Sequence, residues 1–427
     1  MATVADRLRP VIRSFLGAGL PVEVRFWDGS ALGRGDAAAI VLRAPAALTR
    51  LLYSPAELGF SRAYVAGDLD IEGDIYAVLG LRDLLAARTV HTDLRLDARA
   101  VVRLIRAATA IGAIARPLPA PSEEVKLNGR LHSKLRDAAA VSHHYDVGND
   151  FYRLVLGETM TYSCAYFERD DMTLDDAQEA KYDLICRKLG LRPGMRLLDV
   201  GCGWGGMVLH AARHYDVSAV GVTLSRAQET LAAKRIAELG LSHQIEIRYQ
   251  DYRDVDDGPF DAISSIGMFE HVGLAQLGRY FETLHDLLKP TGRLLNHAIS
   301  RPSGKPGFDR DSFVARYVFP DGELQEVGSV VTAMQGRGLE VRDVESLREH
   351  YARTLRAWVS NLEGRWDEAA ELAGLGRAKV WRLYMAGSAL GFESGRINVH
   401  QVLGVKQDAD GASAVPMTRD FVSPRSP

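Results

Sequence analysis

Between about residues 181 and 300 the apolar positions switch repeatedly between short runs and a helical spacing. Residues 195–206 (MRLLDVGCGWGG) start as an apolar strand and run into glycines. Residues 207–215 carry helical spacing, 217–224 (VSAVGVTL) predict a second strand, and 225–241 a second helix. A third strand follows at 245–252, and a fourth at 260–272 ends in a polar tip. Residues 277–292 predict a helix stopped by Pro290 and Gly292, and 293–300 (RLLNHAIS) a fifth strand. This alternation predicts an α/β fold, a doubly wound Rossmann-like sheet with ligands at the carboxyl ends of its strands.

The flanks read differently. Residues 301–394 predict a helical, aromatic-rich insertion, 397–406 (INVHQVLGVK) a last strand, and the tail from 407, rich in Ser, Pro, Asp and Gly, a loose segment. The first ~115 residues mix short strand-like and helical pieces, as in a smaller α+β domain. Residues 21–30 alternate like a strand, and 65–81 turn at Gly67 and Gly73 before becoming helical. Asp68, Asp70, Glu72 and Asp74 lack the spacing of a twelve-residue calcium loop and read as a solvated acidic turn. PLPAPSEE reads as a stiff linker. The expected organisation is an N-terminal lipid-associated or oligomerisation domain at 1–116, a linker at 117–125, a catalytic domain at 126–406 that includes the 301–394 insertion, and a flexible tail at 407–427.

Composition narrows the function. The 427 residues, 47% apolar and 25% charged, fit a globular protein of two domains, and a net charge of −3 gives no reason to expect nucleic acid. Cys164, Cys186 and Cys202 form no CxxC pair, so zinc, a disulfide framework or any other metal is not expected, and a reducing cytoplasm is. Arg7, Arg9 and Arg13 interrupt the N-terminus, and no apolar run approaches the ~20 residues of a membrane span. A membrane would be met only from its surface. Arg99, Arg103 and Arg106 share one helical face, and Lys126, Arg130, Lys134 and Arg136 follow. They are read either as a solvated face or as a surface for anionic lipid headgroups.

The glycine turn carries the first chemistry. Asp199 ends a strand before Gly201, Gly203 and Gly205, and Gly206 completes a pattern that a dinucleotide site would also show. The second strand, however, ends in Thr223-Leu224-Ser225, without the acid that grips an NAD ribose. The third ends in Gln250-Asp251-Tyr252, an acid and a ring suited to adenine. Together these strand ends point to S-adenosylmethionine. Glu270 and His271 end the fourth strand and His297 lies in the fifth, so Glu270 and His297 flank the expected cofactor. Upstream, TYSCAYF sets Cys164 among Tyr162, Tyr166 and Phe167. A nucleophile, a metal ligand, plain core and a polar pocket are all open for it, and a nucleophile would need an activating base that the sequence does not show.

Six motifs in order, SHHYDVGNDFYRLVLG, TYSCAYF, LLDVGCGWGG, VTLSRAQ, GMFEHVG and NHAISRP, resemble the cyclopropane-fatty-acid synthases over about residues 126–406. That family includes phospholipid enzymes, mycolic-acid enzymes and a branch leading to tuberculostearic acid. The first domain resembles that of the longer phospholipid-acting members. The resemblance implies an S-adenosylmethionine-dependent methylation of an oleoyl-type phospholipid chain through a carbocation. Its product is methylene-branched, or alternatively a cyclopropane. It further implies a bicarbonate ion as general base, held by Cys164, Glu270, His297, the backbone of Ile299, and Tyr351. The cofactor positions it implies are Tyr162, Ser163, Gly201, Gly203, Thr223, Leu224, Gln228 and Tyr252, with Asp199 and Asp251 added. Many members carry Trp where this chain has Tyr252, and stacking survives that change. Phe308, Phe313, Tyr317, Phe319 and Trp358 are expected to line an acyl channel. The expected setting is a peripheral enzyme at the inner membrane face, with a homodimer allowed. A small-molecule O- or N-methyltransferase and a lipid-binding module without catalysis are the competing classes.

Overall fold

The computed structural model describes residues 2–16, 21–35, 37–54, 56–82, 106, 108–109, 111–112, 116–125, 136, 147–304, 309 and 311–422. Arg99, Arg103, Lys126, Arg130, Lys134, Phe308 and most of the SHHYDV segment lie outside the described residues. Contacts divide the chain into two compact units. The first is Met1–Val125 with Arg310–Val318 and Trp366–Leu390; the second is Lys126–Asp309, Phe319–Arg365 and Gly391–Pro427. Two pieces of the 301–394 segment therefore group with the N-terminal residues.

The first unit contains a four-stranded sheet of β1 (Glu23–Arg25), β2 (Ala31–Leu32), β3 (Ala38–Leu42) and β4 (Leu69–Gly73), in the order β2-β1-β3-β4. The alternation at 21–30 is real, since Val22, Val24 and Phe26 are all buried, but only three residues pair as a strand before the chain turns at Gly29. The acidic run is solvated in part, with Glu72 and Asp74 exposed, but its carboxylates are also engaged. Asp68 pairs with Arg50 (2.7 Å), Asp70 with Arg43 (3.0 Å) and Lys379 (3.4 Å), and Glu72 with Arg25 (2.7 Å). Asp74 caps the helix Ile75–Leu79 by accepting from the N–H of Tyr76. Each carboxylate stands beside a basic residue that is far from it in sequence or at a helix start, which spacing alone does not reveal.

The second unit is built on seven strands: β5 (Arg196–Val200), β6 (Ser218–Thr223), β7 (Ile245–Tyr249), β8 (Phe260–Ile266), β9 (Leu288–Ser300), β10 (Leu339–Ser346) and β11 (Asn398–Lys406). Their order is β10-β11-β9-β8-β5-β6-β7. The five strands β5 to β9 run parallel, and β11 and β10 add antiparallel beyond β9. β10 lies inside the segment expected to be helical. The chain direction across the sheet reverses between β5 and β8, which opens a crevice at their carboxyl ends. Apolar clusters pack both faces: Leu197, Met207, Val208 and Ile185 belong to one, and Ile263, Phe281, Leu284 and Leu294 to the other. No described helix is long and apolar enough to cross a membrane.

Candidate active site

The glycine turn follows β5. The N–H groups of Gly201 and Cys202 both donate to the carbonyl of Val222 (2.9 and 3.0 Å), folding the turn onto β6. Gly203 sits at φ 54°, and a Cβ there would meet nothing within 4 Å, so its flank is open for close approach of a ligand. Gly206 has another reason: a Cβ would stand 2.1 Å from the hydroxyl of Tyr182, so helix packing requires it. Asp199 is buried and accepts from Ser264 at 2.7 Å, and burial pushes its carboxyl up to about 6. It ties the ends of β5 and β8 together. At the end of β6 the Thr223 hydroxyl donates to Gln228 (2.7 Å), Ser225 caps the helix Arg226–Glu238, and Leu224 between them is half-buried.

At the third strand end the geometry departs from the simple adenine reading. Arg253 folds back in a short turn and pairs with Asp251, with guanidinium contacts of 2.6 and 2.8 Å, so that carboxylate is already engaged. Tyr252 is half-buried and edge-on to Tyr280 at 5.5 Å.

The segment carrying Tyr162 and Ser163 is held by the helix Leu174–Leu189. A capping box between Thr173 and Asp176 starts this helix, and Gly190 ends it in a left-handed turn. Gln178 donates to the carbonyls of Thr161 (3.3 Å) and Ser163 (2.9 Å), Lys181 to the Ser163 hydroxyl (3.0 Å), and Tyr182 pairs with Thr161 (2.7 Å). Lys181 is fully buried, lies over the Tyr182 ring at 3.9 Å, and burial lowers its ammonium to about 7 against the pull of Cys164 and Asp199. Sequence reading missed these three positions. Their signal is the spacing i, i+3, i+4, which places polar side chains on one helical face; whether that face is wet or buried is a tertiary matter.

The other half of the site forms at the ends of β8 and β9. Glu270 sits in a short turn after β8, and its Oε1 accepts from the N–H of Ile299 at 2.7 Å. The residue is half-buried as a whole, yet its Oε2 is closed off and has no hydrogen-bond partner among the described residues. Burial raises its carboxyl to about 7. His297 is buried, its Nε2 equally without a partner, and burial, then the Lys181 and Lys188 ammonium groups, hold its pKa well below the usual value. His297 and Ile299 point to one face of β9. His271 stands edge-on to Phe319 at 5.8 Å instead.

Cys164 is fully buried, and its Sγ donates to the carbonyls of Ala165 (3.2 Å) and Leu347 (3.6 Å). Burial pushes the thiol far above the usual range. A thiol held protonated in this way is not a nucleophile. The Leu347 carbonyl also accepts from the N–H of Tyr351, at the start of the helix Arg348–Gly364, which links these two residues. Tyr351 packs on Phe392 (4.6 Å) and edge-on to Trp358 (6.1 Å); Trp358 stacks on Tyr162 (5.3 Å), and Tyr152 bridges Tyr162 (5.9 Å) to Trp204 of the glycine turn (4.9 Å). A chain of rings thus runs from the cofactor turn to Tyr351. The Lys181 ammonium acts electrostatically on Cys164, Asp199 and His297. Phe313 and Tyr317, expected along an acyl channel, belong to the first unit, where Tyr317 donates to Glu124 (3.4 Å). Separately, the structure brings Glu179, His210 and His214 from two helices within 4.8 Å of one another, a grouping that cysteine spacing could not signal.

Comparison with known proteins agrees with this architecture. The mycolic acid cyclopropane synthetase family matches residues 132–402, and a domain of unknown function matches 15–85. A probable fatty acid methyltransferase of Mycobacterium tuberculosis is 43% identical, over 98% of this chain and 99% of its own length. A probable fatty acid methyltransferase of Pseudomonas putida is 40% identical, over 97% of this chain and 98% of its own. Among solved structures, the mycolic acid cyclopropane synthase CmaA1 complexed with SAH and CTAB superposes with a TM-score of 0.60 at 38% identity, covering 63% of this chain and 98% of that one. The open flank of Gly203 and the polar strand ends fit S-adenosylmethionine, and the chain belongs to the mycolic acid cyclopropane synthetase family of S-adenosylmethionine-dependent methyltransferases that modify fatty acyl chains.

Proposed function

We propose that the protein methylates the double bond of an unsaturated, oleoyl-type phospholipid chain and gives a methylene-branched product, a precursor of tuberculostearic acid. The observation that carries this reading is that Glu270 Oε2 and His297 Nε2, at the ends of the adjacent strands β8 and β9, are both buried and without a partner among the described residues. A buried acceptor and a buried imidazole nitrogen left without partners destabilise the protein by about 1–3 kcal/mol each unless something polar meets them. A bicarbonate ion, with one O–H and two acceptor oxygens, satisfies both, and Glu270, His297, Cys164, Tyr351 and the Ile299 backbone are the groups that would hold it.

When bound, S-adenosylmethionine supplies an electrophilic methyl group, and bicarbonate supplies the proton acceptor that Cys164, as a buried thiol, does not. Tyr162, Ser163, Gly201, Gly203, Thr223, Leu224, Gln228 and Tyr252, with Asp199 and Asp251 behind them, form the cofactor side. Alkene attack on the methyl breaks its bond to sulfur and leaves a cation on the neighbouring chain carbon. Tyr162, Tyr351 and Trp358 face such a cation with π-electrons, worth about 0.5–2 kcal/mol each, and offer no strong lone pair to be methylated instead. A hydride shift to that carbon, then proton loss from the new methyl, gives the exocyclic methylene. Proton loss without the shift closes a cyclopropane ring, the second reading, favoured by the cyclopropane mycolic acid synthases that match the catalytic segment at 39% identity. The methylene reading leans on the near full-length relatives named as fatty acid methyltransferases. The acceptor chain is presented from the inner membrane surface, and self-association as a homodimer is part of the proposal.

The test is incubation with methyl-deuterated S-adenosylmethionine and vesicles of oleoyl phospholipid, followed by mass analysis and ozonolysis of the fatty acids. A labelled chain cleaved to a ketone supports the methylene route. A labelled chain that survives ozone means a cyclopropane, and an unlabelled chain defeats the acyl reading.

A further inference from the structure

Gln401 stands in β11 directly across the ladder from His297. It is completely buried, and its Nε2 lies 3.2 Å from His297 Nδ1. In this amide orientation the Gln401 Oε1 is buried without a partner among the described residues, and the nitrogen has only hydrogens to give, so the contact uses the Nδ1 lone pair. His297 is neutral, because burial and the Lys181 and Lys188 ammonium groups oppose a further positive charge. A neutral imidazole carries a single N–H. With Nδ1 accepting, that hydrogen sits on Nε2, the ring atom left without a partner on the far side.

We infer that Gln401 is a positioning residue that fixes His297 as the Nε2–H tautomer, making it a hydrogen-bond donor toward the anion of the site. The inference rests on the bicarbonate reading for its purpose, though the tautomer itself does not. Its chemical sense follows from the neighbouring Glu270, whose Oε1 is taken by the Ile299 N–H while Oε2 remains an acceptor. One acceptor and one donor then face the site. Bicarbonate matches that pair: its O–H can donate to Glu270, an anionic oxygen can accept from His297, and the remaining oxygen is left for a proton. With the opposite tautomer, His297 Nε2 and Glu270 Oε2 would both be acceptors, and an anion would meet two lone pairs. The second-strand partner of a histidine commonly sets which ring nitrogen is protonated, and here that partner is placed by the register of β9 against β11.

The experiment uses the full-length protein labelled with ¹⁵N-histidine, the His297 signals being assigned by their loss in His297→Asn. Nitrogen shifts are expected to show a lone pair on Nδ1 and a hydrogen on Nε2. A hydrogen on Nδ1 overturns the inference without need of any active variant. Gln401→Met removes the amide donor from Nδ1 without adding a charge, so it is expected to let the hydrogen move to Nδ1 and to raise the KM for bicarbonate by roughly tenfold or more. Affinity for S-adenosylhomocysteine is expected to stay within about twofold on the same scale. Wild-type turnover that depends on bicarbonate, with Gln401→Met showing an unchanged dependence, overturns the inference. Wild-type turnover that ignores bicarbonate sinks the bicarbonate reading instead, and the nitrogen shifts still decide the tautomer.

Discussion

Glu270 concentrates the residue-scale chemistry, because one of its oxygens is spent on the backbone of Ile299 and the other has no partner among the described residues. Glu270→Gln keeps the shape and replaces one acceptor by a donor. Turnover is expected to fall by about a thousandfold or more, as for loss of a proton-transfer group, while S-adenosylhomocysteine binding by calorimetry is largely retained; lost binding with turnover preserved at saturating cofactor would contradict the assigned role. The same residue gives a stability signature. Its carboxyl is raised from 4.5 to about 7 by burial, so over that interval the folded state keeps a proton that the unfolded chain has released. The stability carried by this protonation is full below the unfolded value and is lost as pH rises through the folded one. Glu270→Gln has no such loss, so melting curves should show the variant gaining on wild type at about pH 8 relative to about pH 5. A difference that does not vary with pH would remove burial as the cause. Cys164→Ser should keep most of the turnover, because a hydroxyl can donate to the Leu347 and Ala165 carbonyls as the thiol does; a collapse of the order seen on removing a nucleophile would reinstate that role.

One helix, Leu174–Leu189, presents Gln178 to the carbonyls of Thr161 and Ser163, and Lys181 and Tyr182 to the hydroxyls of Ser163 and Thr161, and so fixes where Tyr162 can stand. Its N-terminus depends on the reciprocal bonds of Thr173 and Asp176. Thr173→Ala is expected to destabilise the protein by about 1 kcal/mol and to lower the melting temperature by about 2–4 °C, with cofactor affinity unchanged because the contacting turn lies further along. A calorimetric melt checks the first part and a binding titration the second. The helix Arg348–Gly364 holds the opposite wall. Trp358→Ala removes the ring stacked on Tyr162 and is expected to cost about 3–5 kcal/mol of stability, read by denaturant unfolding; a loss below about 1 kcal/mol would mean that the site collapses around the gap.

For the molecule as a whole, the membrane surface is the open matter. Arg136 cannot belong to a lipid-facing patch, because it makes a two-pronged ion pair with Asp321 (2.6 and 2.8 Å) and both side chains are mostly buried. The proposal therefore falls on Arg99, Arg103 and Arg106, of which Arg106 is described and exposed. Reversing the three to Glu is expected to weaken co-sedimentation with anionic vesicles, by about 1 kcal/mol for each charge that lies near the surface. Unchanged sedimentation would remove these arginines from the membrane contact.

The parallel strands of the sheet core and its glycine turn were legible in the sequence because both depend on short-range features. Apolar runs, helical spacing and stop residues report local backbone preference, and Gly201, Gly203 and Gly205 at φ 78°, 54° and 82° take a conformation that favours glycine. β10 was not legible: in LEVRDVES the chain bulges between Val341 and Asp343, which interrupts the alternation, and the buried Asp343 is paired with Lys188 of the helix Leu174–Leu189 at 3.1 Å and with Arg419. Candidate residues such as Glu270 and His297 could be named from their places at strand ends. Their electrical states could not, since burial, the Ile299 N–H and the two lysines set them. Asp68, Asp70, Glu72 and Asp251 make the same point, each carboxylate being read without a partner until the structure supplied its arginine. Sequence determined which groups this protein owns and which segments fold into sheet and helix. Tertiary structure alone decided which groups are dry, which are paired across the fold and which nitrogen of His297 is opposed by Gln401, because burial and contacts such as Gln401–His297 and Cys164–Leu347 bring together residues distant in the chain.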